Sequence, residues 1–409
     1  MDITLELKKR IRNQHLTISG SKSETNRLLL LQALYPQLKI ENTSNSDDSE
    51  VVKNALFTLN ESTEINVHHA GTAMRFLTAY FATQENKQTV LTGSSRMKER
   101  PISVLVDALL QLGADISYVE KVGFPPLKII GKKITKNKVT IDANVSSQYI
   151  TALMLIGSSL PNGIEINLQG NLTSLSYINM TISVLHSLGL KAAFNDKIIK
   201  IPFEKEIKKD VFIVESDWSS ASYFYSIIAL SAVGTKITLG YFKQNSFQGD
   251  SVLPEIYKNF GVQTTFQNAE IILEKTSNVK NQTFNFELNN TPDIAQTLIV
   301  TCLGLGMTCD ISGLHTLKIK ETDRLQALKN ELEKFGAVVA ITNDSIHLKN
   351  KVALSINPVE IETYQDHRMA MAFAPLALKQ PLIIKNAEVV SKSYPDFWND
   401  LKVLGFCIS

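Results

Sequence analysis

Cysteine is scarce. Three occur in 409 residues, at Cys302, Cys309 and Cys407. That is too few for a disulfide framework, and they do not stand in a close-spaced metal-binding pattern. The usage fits a reducing, cytoplasmic compartment. Long apolar runs are also missing. The longest weakly polar stretch, 294–309, is broken by Gln296 and several Thr and Gly, and falls short of the ~20 apolar residues of a membrane span. The opening MDITLELKKR is charged within two residues and has no apolar core, so neither a secretory leader nor a membrane partner is expected. No sign of charge dominates: 42 Lys and Arg face 40 Asp and Glu, for a net charge of +2. A global basic field that would advertise nucleic acid is therefore excluded, and any anion site must come from local clustering. With 19 Gly and 12 Pro, the chain is neither collagen-like nor dominated by linkers.

What is present is a globular composition, 44% hydrophobic and 20% charged. The length suggests two domains of about 200 residues each. The chain is periodic. One kind of segment is an amphipathic helix that ends in Gly and runs into a strand, as in ISVLVDALLQLGADISYVE and RLQALKNELEKFGAVVAIT. The closing glycines Gly113, Gly189, Gly261, Gly336 and Gly405 recur at roughly seventy-residue intervals and fit left-handed C-terminal caps. A sixth, degenerate copy is expected at 49–67, where the Gly is absent. Between these lie six more apolar helices, each followed by a turn and a strand. Their near-continuous apolarity predicts burial on most sides. Six such units fit two domains of three units each. The expected hinge lies near Val214-Glu215-Ser216-Asp217, and the N-terminal strand is expected to pair with the C-terminal half.

The starts of the six apolar helices are unusual. They follow GSKSETNR, HHAGTAMR, Ser146-Ser147-Gln148, Asp217-Trp218-Ser219-Ser220, Thr291-Pro292-Asp293 and Tyr364-Gln365-Asp366-His367-Arg368. Ser, Thr and Asp are ordinary N-caps. Capping does not explain Lys22, Arg27, Arg75 and Arg368. Helix N-termini carry unsatisfied N–H groups and partial positive charge, which bind phosphate or carboxylate. If the repeat is symmetric, equivalent starts point the same way within each domain, and the fitting ligands are small polyanions. RMKERP and IKETDR add cations, although each reads equally as a solvated loop or a helix cap, with Thr322 or Asp323 as the cap in the second.

Taken together, GSKSETNR, HHAGTAMR, RMKERP, IKETDRL, YQDHRMAMAF and SKSYPD, in this order from Ser21 to Asp396, resemble the 5-enolpyruvylshikimate-3-phosphate synthase family of enolpyruvyl transferases. The resemblance implies an α/β fold: a two-domain inverted α/β barrel, each domain three βαβαββ repeats, six in total. It divides the chain into an N-terminal lobe, 20–215, and a C-terminal lobe, 1–19 plus 216–409, with the active site in the cleft between them. It implies a monomer whose partners are shikimate 3-phosphate and phosphoenolpyruvate, with no metal and no organic cofactor.

The same resemblance implies roles. Asp293, Glu321 and Lys22 match the catalytic proton-transfer groups. Lys22, Ser23, Arg27, Ser146, Ser147, Gln148, Ser174, Tyr177, Asp293 and Lys320 match shikimate 3-phosphate ligands, with Ser174 and Tyr177 in a segment that departs from the usual pattern. Lys22, Gly71, Arg100, Gln148, Arg324, Arg368 and Lys392 match phosphoenolpyruvate ligands. At Gly71 the absent side chain lets backbone N–H groups approach an anion, and arginines clamp carboxylate or phosphate through paired bonds. A carboxylate among cations should have a depressed pKa, and burial opposes that shift. His367 reads either as a structural histidine or as one that orients its arginine neighbour.

Three departures stand out: His69 replaces a common Asn, Phe76 a common Pro, and Thr316 an Asn that touches the shikimate ligand. Two alternatives stay open. A UDP-N-acetylglucosamine enolpyruvyl transferase shares fold and chemistry, but its loop cysteine has no counterpart here. A non-catalytic polyanion-binding relative would have no use for two carboxylates in a cationic cleft.

Overall fold

The repeats share one rule, kept in full by the second, third and fifth: a strand, a buried helix, a second strand parallel to the first, an amphipathic helix and an antiparallel hairpin. The computed structural model describes residues 1–409 except 9, 12, 59–62, 145, 171, 173, 174 and 280–282. It divides into two compact units, Gly20–Val214 and Met1–Ser19 with Glu215–Ser409.

The second repeat shows the rule in full. Strand Glu64–Asn66 runs parallel to Gln88–Thr92, and Gln88–Thr92 runs antiparallel to Leu127–Ile130, the inner arm of a hairpin with Asp115–Tyr118 at the sheet edge. Helices Gly71–Ala82 and Ser103–Gln111 make the connections. The third repeat copies this with strands Lys138–Asp142, Ile164–Gln169, Ala193–Asn195 and Ile198–Ile201. So does the fifth, with Thr283–Glu287, Thr308–Ser312, Val339–Ile341 and Ile346–Leu348.

The remaining repeats borrow strands. The fourth takes its first strand, Gln14–Leu16, from the start of the chain and lays it parallel to Lys236–Gly240. The sixth is completed by Ile3–Leu7, which lies between Leu382–Ile384 and Phe406–Ile408 and is antiparallel to both. The expected pairing of the N-terminal strand with the C-terminal half is thus realised twice.

The first repeat differs from the expectation of six equal units. Its sheet has only two strands among the described residues, Lys39–Glu41 and the borrowed Val211–Ile213, in parallel. The reason is local. Helix Asp47–Phe57 is capped at Thr58, and where the other amphipathic helices are followed by Gly the sequence here has Leu59, which lies outside the described residues. The next strand, Glu64–Asn66, already belongs to the second sheet. Too little chain lies between for a hairpin. The other five amphipathic helices leave through Gly113, Gly189, Gly261, Gly336 and Gly405, all at positive φ.

The apolar helices form the interior of each unit. In Ala295–Gly304 every residue from Ala295 to Leu303 is buried. In Trp218–Leu230 every residue except Ser219 is buried. Within unit 20–214, helices Lys22–Leu34, Gly71–Ala82 and Ser147–Gly157 pack on one another. In the other unit Ala295–Gly304 packs on Trp218–Leu230 and on His367–Phe373. Threefold packing of like helices brings like ends together, which places the unusual helix starts side by side within each unit.

Candidate active site

The polar residues at the helix starts do act as caps. Ser21 Oγ accepts from Glu24 N at 3.4 Å, Ser146 Oγ from Gln148 N at 3.3 Å, and Asp366 Oδ1 from Arg368 N at 2.8 Å. Asp217 caps through Ser220 N at 2.8 Å. Asp323, not Thr322, caps helix Arg324–Glu333. Helix Gly71–Ala82 begins at Ala70 with no side-chain cap. The caps fix the backbone and leave the cations between them to be explained.

In unit 20–214, Lys22 Nζ lies 3.4 Å from Asp48 Oδ2, and His69 Nε2 lies 3.9 Å from Asp48 Oδ1. Arg100 stacks on Gly71: a Cβ at Gly71 would stand 2.6 Å from its Nη1. Any side chain at Gly71 would therefore displace that guanidinium. The other charges of RMKERP do not turn inward, since Arg96 pairs with Glu99 and Lys98 with Glu120 in exposed contacts. Gln148 Nε2 donates to Thr72 Oγ1 at 3.3 Å, tying the third helix start to the second.

Arg27 is 4% exposed. It donates to Thr181 Oγ1 at 2.9 Å, to Ser23 O at 2.7 Å and to Tyr177 O at 3.3 Å. Its guanidinium lies 5.8 Å from the ring centroids of both Phe76 and Tyr177. Arg75 is equally buried and donates to Gly71 O at 3.3 Å and Pro101 O at 3.0 Å. Neither arginine has a carboxylate partner among the described residues. Burial lowers both to about 10, and for Arg75 the Arg100 charge adds to the effect.

The other unit is organised differently. Arg324, 1% exposed, donates from Nε to Asp366 Oδ2 at 2.6 Å, from Nη1 to Asp293 Oδ1 at 3.0 Å and from Nη2 to Glu321 Oε2 at 2.8 Å. Three carboxylates thus converge on one guanidinium. Arg368 approaches the opposite oxygen of Asp293, with Nη2 at 3.3 Å from Oδ2, and donates from Nη1 to Asp293 O at 3.1 Å. Lys320 Nζ stands 4.0 Å from Asp293 Oδ1. Lys392 Nζ donates to Gln365 O at 2.7 Å, beside the same helix start. His367 is 2% exposed, with Nδ1 3.9 Å from Asp366 Oδ1. Desolvation pulls the Arg324 pKa down, but Asp366, Glu321 and Asp293 together more than reverse it, so its pKa is raised. Lys320 is lowered, chiefly by burial, against the opposing pull of Asp293.

Within unit 20–214 the structure thus brings together Lys22 with Asp48 and His69, Gly71 with Arg100, Gln148 with Thr72, and Arg27 with Tyr177 and the backbone of Ser23. Ser146 and Ser147 stand at the same helix start as Gln148, and Ser174 lies outside the described residues. In the other unit it gathers Asp293, Lys320, Glu321, Arg324 and Arg368, with Lys392 alongside. Thr316 is buried, and its hydroxyl has no hydrogen-bond partner among the described residues.

Sequence reasoning missed the carboxylates that hold these cations. Asp366 reads as a member of a cap sequence, and Asp48 draws no notice in the sequence. Asp250, which bonds the Ser219 hydroxyl and not a cation, was missed as well, in the irregular Gln248-Gly249-Asp250 segment where no periodicity draws notice. The one available signal was the DHR triplet, an acid one residue from an unexplained cation. Among the described residues, no group of three or more His, Cys, Asp or Glu is placed to hold a metal, and no helix is long and apolar enough to cross a membrane.

Comparison with known proteins adds to this geometry. The family described as EPSP synthase (3-phosphoshikimate 1-carboxyvinyltransferase) matches residues 36–401. A 3-phosphoshikimate 1-carboxyvinyltransferase of Bacteroides fragilis (strain YCH46) is 43% identical over 397 residues, spanning 96% of this chain and 95% of its own. One of Vibrio campbellii is 35% identical over 418 residues, spanning 95% of this chain and 96% of its own. A solved structure of EPSP synthase from Acinetobacter baumannii superposes with a TM-score of 0.81 at 20% identity, covering 100% of this chain and 99% of that one. At that identity the structural likeness speaks to the fold.

Proposed function

The chain belongs to the EPSP synthase family, and from that premise we propose that it transfers the enolpyruvyl group of phosphoenolpyruvate to the 5-hydroxyl of shikimate 3-phosphate, in the shikimate pathway of aromatic amino acid biosynthesis. The hydroxyl oxygen bonds to C2 of phosphoenolpyruvate as C3 gains a proton. The tetrahedral intermediate then loses a proton from C3, the C2–O bond to phosphate breaks, and the enolpyruvyl ether and inorganic phosphate leave.

In this reading Asp293 takes the hydroxyl proton, while Glu321 and Lys22 serve proton transfer at C3. Shikimate 3-phosphate is held by Lys22, Ser23, Arg27, Ser146, Ser147, Gln148, Ser174, Tyr177, Asp293 and Lys320. Phosphoenolpyruvate is held by Lys22, Gly71, Arg100, Gln148, Arg324, Arg368 and Lys392. Residues 20–215 and residues 1–19 with 216–409 are the two lobes. The enzyme works as a monomer in the cytoplasm, and the three free cysteines support the reducing compartment. Light scattering on the purified protein tests the monomer.

The observation that carries the catalytic assignment is the Asp293–Arg324–Glu321 contact. A site that only bound polyanions would lose affinity by keeping two carboxylates among its cations, whereas proton transfer requires groups of that kind, fixed in place. The three contacts on Arg324 hold it rigid, so Asp293 and Glu321 keep a set spacing. The test is phosphate release, expected only when shikimate 3-phosphate and phosphoenolpyruvate are both present. Release with UDP-N-acetylglucosamine in place of shikimate 3-phosphate would overturn the substrate assignment. Binding without turnover would overturn catalysis.

A further inference from the structure

Asp250 lies in the short 3-10 turn Gly249–Val252 and is 6% exposed. Its carboxylate accepts a short hydrogen bond from Ser219 Oγ. Among the described residues it has no ion pair. Ser219 is the one residue of helix Trp218–Leu230 that is not buried, and its Oγ accepts from Arg368 Nη2 at 3.4 Å. Arg368 in turn holds Asp293 through both its backbone and its side chain. The turn is pinned to the same helix start by Gln248, which accepts from Trp218 N at 2.9 Å and donates to Ser216 O at 2.9 Å. A continuous chain, Asp250–Ser219–Arg368–Asp293, therefore ends on the proposed proton acceptor.

We propose that Asp250 is a positioning residue for the reaction, which through the Ser219 hydroxyl sets Arg368 against Asp293 and, by its own protonation, tunes how strongly Arg368 attracts phosphoenolpyruvate. The proposal rests on the family reading above, in which Arg368 is a phosphoenolpyruvate ligand. A buried carboxyl bonded only to a hydroxyl has little to stabilise its charge. Burial, and then the nearby Asp293 charge, push Asp250 up to about 7, against the Ser219 hydrogen bond and Arg368, with Asp217 adding to the rise. The other charges of this cluster, Asp366 and Arg324, act on it through Arg368 and Asp293. Below that value Asp250 is neutral and adds no negative charge beside Arg368. Above it a second anion faces Arg368, and an incoming anionic substrate meets repulsion. By linkage, a substrate anion on Arg368 favours the protonated form, so affinity for phosphoenolpyruvate falls as pH rises through this range.

The test compares wild type, Asp250→Asn and Asp250→Ala between pH 6 and pH 8.5, by phosphate release at saturating shikimate 3-phosphate. Phosphate release by the wild type at pH 6 first establishes the family reading on its own. The ratio of KM for phosphoenolpyruvate, wild type over Asp250→Asn, is then expected to rise about threefold to tenfold across the range, while the pH profile of kcat keeps one shape in both. Asp250→Ala, which leaves Ser219 without its acceptor, is expected to raise KM about fivefold or more over Asp250→Asn at every pH. A wild-type to Asp250→Asn KM ratio that stays flat with pH in an active enzyme would overturn the proposal and leave the family reading intact. So would equal losses of kcat in both variants with KM unchanged.

Discussion

Arg27 and Arg75 lie in one unit, Arg324 and Arg368 in the other, and all four are nearly excluded from solvent. The first pair is held by carbonyls, a hydroxyl and aromatic rings. The second pair is held by carboxylates. The consequence appears in the proton equilibria. Burial lowers Arg27 and Arg75, whereas Asp366, Glu321 and Asp293 overcome burial and raise Arg324. An arginine solvated by neutral groups keeps its field available to an arriving anion. An arginine surrounded by three carboxylates has little field left, but it is a rigid frame for groups that move protons. The comparison teaches that a buried cation can be steadied by neutral groups in one unit and by carboxylates in the other, where Arg324 and Arg368 also fix the place of Asp293 and Glu321.

Three substitutions sharpen or break it. The largest effect is expected from Asp366→Ala. This carboxylate is 0% exposed, and its loss leaves a buried guanidinium short of a partner and helix His367–Phe373 short of its cap. We expect a loss of about 3 kcal/mol in urea unfolding, and a loss below about 1 kcal/mol would show that Asp293 and Glu321 suffice to hold Arg324. Asp293→Ala should next lower turnover by about 10²-fold or more while substrate affinity stays within about tenfold. Equal losses in binding and in turnover by a folded variant would assign Asp293 to the frame and not to proton transfer. The smallest effect on folding is expected from Arg27→Met. It breaks no ion pair among the described residues and keeps most of the apolar stem, so stability should change by under about 1.5 kcal/mol, while affinity for shikimate 3-phosphate falls by more than about tenfold. A loss of stability as large as that of Asp366→Ala would abolish the distinction between the two units.

Much of the architecture is legible in the residues because its punctuation is chemical. A left-handed exit is cheap only for Gly, so five helix ends announce themselves at near-constant spacing, and the alternation of apolar and amphipathic helices announces what is buried. The borrowed strands are less legible. Ile3–Leu7 and Val211–Ile213 look like any short strands, and their partners follow from closure of each unit rather than from local pattern. The truncated first repeat is half-visible, in the absence of a Gly after Phe57. In the candidate site the cations stand out because no cap requires them. Their carboxylate partners do not, because an Asp at a helix start already has an ordinary reason to be there. Asp366 does both jobs at once, one oxygen on the Arg368 amide and the other on Arg324.

The strand Ile3–Leu7 is synthesised long before the neighbours it pairs with. Its partners Leu382–Ile384 and Phe406–Ile408 emerge after nearly the whole chain, on the order of half a minute later at the usual pace of synthesis. Meanwhile Gly20–Val214 holds all the strands of its own sheets and can fold as a nested insert. The nascent chain therefore carries an open, apolar strand edge through most of its translation, the kind of edge that chaperones cover and that strays into aggregates when they do not.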